Sequence, residues 1–135
     1  MRAVALLSGI VGLMVSPPSH ASAETTAAVV RIEMREFQFL PAVIRLPGGR
    51  PVTLRFVNKG QLAHQFEAGY LRALAVTITD DATRVEAPGL DFLRLQPGGT
   101  ASLQFVPRRP GRYEFACTIE GPREAGMKGI ILIAR

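Results

Sequence analysis

The sequence predicts an all-β sandwich of seven to eight short strands, and three observations carry that expectation. Apolar and polar residues alternate with period two, as in Val52, Leu54 and Phe56 against Thr53 and Arg55. Turn residues punctuate the chain at short intervals: Pro47-Gly48-Gly49, Asn58-Lys59-Gly60 and Pro110-Gly111. No stretch carries the 3.6-residue apolar period of a long amphipathic helix.

Taken in order, "AAVVRIEM" and "AVIRLPGG" read as β-branched strands, the second stopped by its Pro-Gly-Gly. "RPVTLRFVNKG" is a half-buried strand, and "AHQFEA" a short one with His64 and Phe66 on one face and Gln65 and Glu67 on the other. "GTASLQFVP" and "GRYEFACT" read as a further pair around an Arg108–Gly111 turn, with Tyr113, Phe115 and Cys117 sharing a face of the second strand. "MKGIILIA" ends the chain as an apolar strand expected to be buried on both sides. Residues 69–89 are the exception, a longer excursion holding a helical turn in "YLRALAV" and at most one minor strand.

The first 23 residues are set apart. Arg2 is followed by an apolar run from Ala3 to Val15 and then by Ala21-Ser22-Ala23, the layout of a cleaved secretory signal. The run is shorter than the roughly 20 residues that cross a bilayer. The expectation is a signal over 1–23 and one exported domain over 24–135, periplasmic or secreted, with no membrane span. Cleavage removes Arg2 from a formal net charge of +5 and His20 from a total of two histidines, so His64 becomes the single imidazole. The arginines are scattered rather than clustered, which fits the solvated faces of strands and gives no nucleic-acid motif.

Cys117 is the only cysteine. In an oxidising compartment it has no internal partner, so it is unpaired, cross-linked to another molecule, or a ligand. His64 alone would be an ordinary packed or surface histidine, and Met127 alone core filling. Together the three are the thiolate, imidazole and thioether that suit copper cycling between two oxidation states. Cysteine at the end of one strand and methionine at the start of the next put both sulfurs at one end of a sandwich, where a histidine from a separate strand can close a site. Cys117 lacks a second histidine and any cysteine-hydrolase motif, so an enzyme is not expected.

"NKGQLAHQFE" and "PGRYEFACTIEGPREAGMKGIILI" resemble the cupredoxins, the small exported plastocyanin- and azurin-like type 1 blue copper proteins, over most of the chain from Val29 to Ile133. The resemblance implies a cupredoxin-like Greek-key β-sandwich and one copper ion. It implies His64 as the first imidazole ligand, Cys117 as the thiolate, Met127 as the axial thioether, and Asn58 as a tie between the ligand loops. In longer-loop members of that family the segment runs Cys, three residues, Gly, His, four residues, Met. Here Gly121 and Met127 fall in register, but the histidine position is Pro122.

Proline has no side-chain lone pair, so a chain with one imidazole cannot build a His2Cys plane by itself. Glu120 is the candidate substitute ligand, although a carboxylate shifts preference from Cu(I) towards Cu(II) or Zn. Glu124 stands where related loops carry a glutamate without using it. Water, chloride or a partner's histidine could also complete the set. Two readings follow. One is an exported copper-binding protein with an incomplete type 1 site, acting in copper handling or electron transfer, monomeric, with a redox or copper-delivery protein as partner. The other is a metal-free binding or structural domain on the same fold.

Overall fold

The computed structural model describes residues 26–119 and 126–135. β1, Ala28–Arg35, buries Ile32 and Met34 completely. A turn at Glu36-Phe37 returns the chain as β2, Gln38–Leu40, antiparallel to β1. Phe37 makes that turn at φ 71°, a left-handed conformation costing a residue with a Cβ roughly 1–2 kcal/mol. β3, Val43–Leu46, leaves for the second layer, and β4, Val52–Asn58, comes back parallel to β1, in register from Ala28↔Val52 to Met34↔Asn58.

β5, His64–Phe66, is followed by a short 3-10 helix, Gly69–Ala73, and then by β6, Val76–Thr79, and β7, Arg84–Ala87. β8, Leu93–Leu95, pairs back onto β5. β9, Thr100–Phe105, β10, Gly111–Ala116, and β11, Lys128–Ile133, complete the fold. One layer has the order β2-β1-β4-β9-β6-β7, and the other β10-β11-β3. The β5-β8 ribbon joins the β10 side of the second layer through the Glu67↔Ala116 bridge. This non-sequential order gives the expected Greek-key sandwich. Its core is filled by Leu54, Phe56 and Leu103 from one layer and Ile44, Phe66, Phe115 and Ile131 from the other.

Three local expectations are corrected. β9 and β10 are not a pair: β4 and β6 occupy both edges of β9, so the Arg108–Gly111 turn carries the chain across to the other layer. The 69–89 excursion supplies two strands of the larger sheet, not one minor strand. Its hairpin is closed by the Asp80 carboxylate, which accepts from the amides of Ala82 (2.9 Å) and Thr83 (2.7 Å). β11 buries Ile131 and Ile133 on its inner face but leaves Ile130 and Leu132 half-buried on the other. With β2 and β8, both only three residues long, the described strands number eleven rather than seven to eight. Among the described residues, no helix is long and apolar enough to cross a membrane.

Candidate metal centre

His64 opens β5, Cys117 lies one residue past β10, and Met127 lies one residue before β11; all three are buried. Period-two alternation sets what holds them. Phe66 and Phe115 stand two residues from His64 and Cys117, so they share those residues' inward face. Their rings lie 5.0 Å apart, and Phe66 also packs on Phe56 at 4.7 Å and Phe39 at 6.0 Å. These contacts couple the histidine strand to the cysteine strand through the core. Glycine is required at Gly129, paired with Phe115, because a Cβ there would collide with the Phe115 ring and the Ala42 carbonyl.

Backbone hydrogen bonds finish the alignment. The amides of Glu67 and Ala116 exchange bonds of 3.0 Å, and the Cys117 amide donates to the Met127 carbonyl at 2.9 Å. The Gln65 amide, one residue beyond His64, donates to Cys117 Sγ at 3.3 Å. The thiolate, the form of cysteine that binds metal, can accept an amide hydrogen placed in this way.

The loop leading into His64 is held from beneath by Asn58. Its Nδ2 donates to the carbonyls of Leu62 (2.7 Å) and Leu95 (2.9 Å), and its Oδ1 accepts from the Gly60 amide (2.9 Å). Both amide hydrogens of Asn58 are therefore spent around the histidine loop and the end of β8. The tie implied by resemblance, from the histidine loop to the cysteine loop, is instead made by Gln65.

Glu36, in the β1–β2 turn, reaches the same loop. Its Oε1 accepts from the amides of Gln61 (2.5 Å) and Leu62 (3.2 Å) and lies 3.5 Å from His64 Nε2. Hydrogen bonds from its own amide and from that of Gln61 hold its carboxyl below the usual carboxylate range. Gly60 makes room for this meeting, since a Cβ there would stand 2.5 Å from both Glu36 Oε1 and His64 Nε2.

On the other side of the cysteine, the buried Gln65 side chain anchors a polar chain. Its Nε2 donates to Thr118 Oγ1 (2.6 Å), and its Oε1 accepts from Arg94 Nε (2.9 Å) and Nη2 (2.7 Å). Thr118 Oγ1 donates onward to Glu67 Oε2 (2.6 Å), and Arg72 pairs with Glu67 Oε1 (2.5 Å). Gln65 is buried although it alternates with His64, because β10 and Arg94 cover its face. Neither Glu36 nor Gln65 was visible as a site residue in the sequence. Glu36 lies 25 residues before the amide of Gln61 that it binds, and no spacing rule links the two. Gln65 did carry a signal, a polar residue set between His64 and Phe66 in a short strand.

Glu120, Gly121, Pro122, Glu124 and the 1–23 segment lie outside the described residues. Among the described residues there is no group of three His, Cys, Asp or Glu side chains that could hold a metal. The described candidate set instead combines one imidazole, one thiolate and one thioether, a donor chemistry that fits copper.

Comparison with known proteins identifies the family and the fold. The model of the cupredoxin-like domain family matches residues 5–133. The copper-resistant cuproprotein CopI of Rubrivivax gelatinosus is 28% identical over 119 residues, covering 87% of this chain and 71% of that protein. The auracyanin B structure superposes with a TM-score of 0.58 at 22% identity, covering 83% of this chain and 92% of its own. A multicopper oxidase from Campylobacter jejuni, a metallo-oxidase, gives a TM-score of 0.62 at 14% identity over 94% of this chain but only 34% of the oxidase. These structural likenesses establish the shared fold. The chain belongs to the cupredoxin-like domain family.

Proposed function

We propose that this protein is an exported, non-enzymatic copper protein that handles copper, or passes electrons, through an incomplete type 1 site of His64, Cys117 and Met127. The observation that carries the reading is the Gln65 amide on Cys117 Sγ at 3.3 Å, because it draws the segment that starts at His64 onto the one sulfur able to become a thiolate. Copper bound there supplies one-electron exchange between Cu(I) and Cu(II). The chain's own residues exclude water from the donors and hold the thiolate charge with an amide hydrogen. They also keep the histidine and cysteine strands together through Phe66 and Phe115. The similarity to a copper-resistant cuproprotein supports copper handling.

With Pro122 in place of a second imidazole, Cu(I), suited to two sulfur donors and content with three ligands, is favoured over Cu(II). Glu120 or an external ligand completes the set for Cu(II). The compartment in this reading is the periplasm or the exterior, and the partner a redox or copper-delivery protein. Pro122 is also the observation favouring the second reading, a metal-free binding domain.

Titration of residues 24–135 with Cu(I) and Cu(II) separates the two. The expected result is Cu(I) binding that is lost in Cys117→Ser, with a thiolate-to-Cu(II) colour that is weak alone and grows with added imidazole or in Pro122→His. Binding of neither ion more tightly than by Cys117→Ser would overturn the copper reading.

A further inference from the structure

The meeting of Glu36, Gly60 and His64 is used by nothing described so far. Glu36 sits in a turn of the other layer, 28 residues before His64 in the chain, yet its carboxylate oxygen lies 3.5 Å from Nε2 of a fully buried imidazole. The carboxylate is itself fixed by the amides of Gln61 and Leu62. Gly60 carries no side chain at the point where one would stand 2.5 Å from both groups. Phe37 holds the adjoining turn at a positive φ that its side chain disfavours. Two backbone donors, a missing side chain and a disfavoured turn thus all bear on one carboxylate–imidazole contact.

We propose that Glu36 is the positioning residue of His64: its carboxylate, 3.5 Å from Nε2 and just short of hydrogen-bond geometry in this structure, closes on the Nε2 hydrogen, leaving the Nδ1 lone pair for the metal and fixing the plane of the ring. The proposal rests on the copper reading above for its metal, but not for its tautomer. The physical reason is general. A neutral imidazole carries its hydrogen on one nitrogen only, and a carboxylate beside one nitrogen selects that nitrogen as the donor. Such outer partners orient a ligating histidine and raise its basicity, and losing one typically costs 10–100-fold in metal affinity. In a site already short of one imidazole, the remaining ring has to be aimed without help from a second.

The test uses residues 24–135, which contain every described strand and only one histidine. Ring-nitrogen NMR at about pH 8, above the ordinary imidazole range, reads the His64 tautomer in the metal-free protein. Competition with a chromophoric chelator reads Cu(I) affinity. In the unmodified chain the expected hydrogen is on Nε2. Glu36→Ala is expected to move it towards Nδ1 and to weaken Cu(I) binding by about 10–100-fold. Glu36→Gln keeps an acceptor oxygen and is expected to preserve the tautomer with a smaller loss. An unchanged tautomer in Glu36→Ala would overturn the proposal even if affinity fell, since Glu36 would then only be bracing the Gln61-Leu62 backbone. Should Glu36→Ala fail to fold, a Glu36→Gln chain whose Nε2–H preference is no greater than that of a free imidazole would overturn it as well. If the unmodified chain binds Cu(I) no better than Cys117→Ser, the copper reading falls, while the metal-free tautomer still decides the role of Glu36.

Discussion

The β5 segment and the β6–β7 arm are near neighbours in sequence and opposites in construction. All three residues of His64–Phe66 are buried, and each is placed by partners from distant parts of the chain: Glu36, Cys117, Arg94 and Phe115. Across Val76–Thr79 and Arg84–Ala87 only Val76 is buried, and the arm is held by ladder pairing and by the local Asp80 turn. The difference teaches where rigidity is concentrated. The three residues of β5 draw on side-chain partners from several distant segments, whereas eight strand residues of the arm depend mainly on backbone pairing.

The severest break of this contrast is Phe66→Ala. It removes the ring that touches Phe39, Phe56 and Phe115 and should cost about 3–5 kcal/mol, read by urea unfolding. Next, saturating Cu(I) should stabilise the intact chain by about 2.7 kcal/mol at a hundredfold excess over Kd, and Cys117→Ser by much less; thermal unfolding with and without metal measures this. Asn58→Ala strands the Leu62 and Leu95 carbonyls and the Gly60 amide. It should cost about 1–3 kcal/mol and speed amide exchange through residues 60–64 before the rest of the sheet. In the arm, Val85→Ser changes an exposed side chain and should stay within about 0.5 kcal/mol in the same unfolding assay. A large effect there would mean that the arm is built into the core after all.

Much of this architecture was legible in the sequence, and the illegible parts share a cause. Period-two patterns located β4 and β10, and a continuous apolar run located β11. β4, read as half-buried, is in fact buried on both faces except at Arg55, with strands flanking it on either side. Alternation does not say which strand lies alongside, so β9 and β10 were paired across a turn that in fact changes layers. β2 and β8 are too short to show a period. The hairpin of the excursion was hidden because Asp80-Asp81 looks like a solvated loop until the Asp80 carboxylate is seen to accept from the Ala82 and Thr83 amides. For the candidate site, His64, Cys117 and Met127 stood out by donor chemistry. Glu36 did not, since its role depends on a fold that brings the β1–β2 turn beneath the histidine loop.

The hydrogen bond from the Cys117 amide to the Met127 carbonyl has an engineering consequence. It clasps the two ends of the intervening segment, so that segment can be exchanged as a cassette without re-pairing β10 and β11. Because each doubling of a flexible loop adds only about 0.6 kcal/mol of closure cost, inserts of quite different length and ligand content should graft between these two anchors onto an unaltered scaffold.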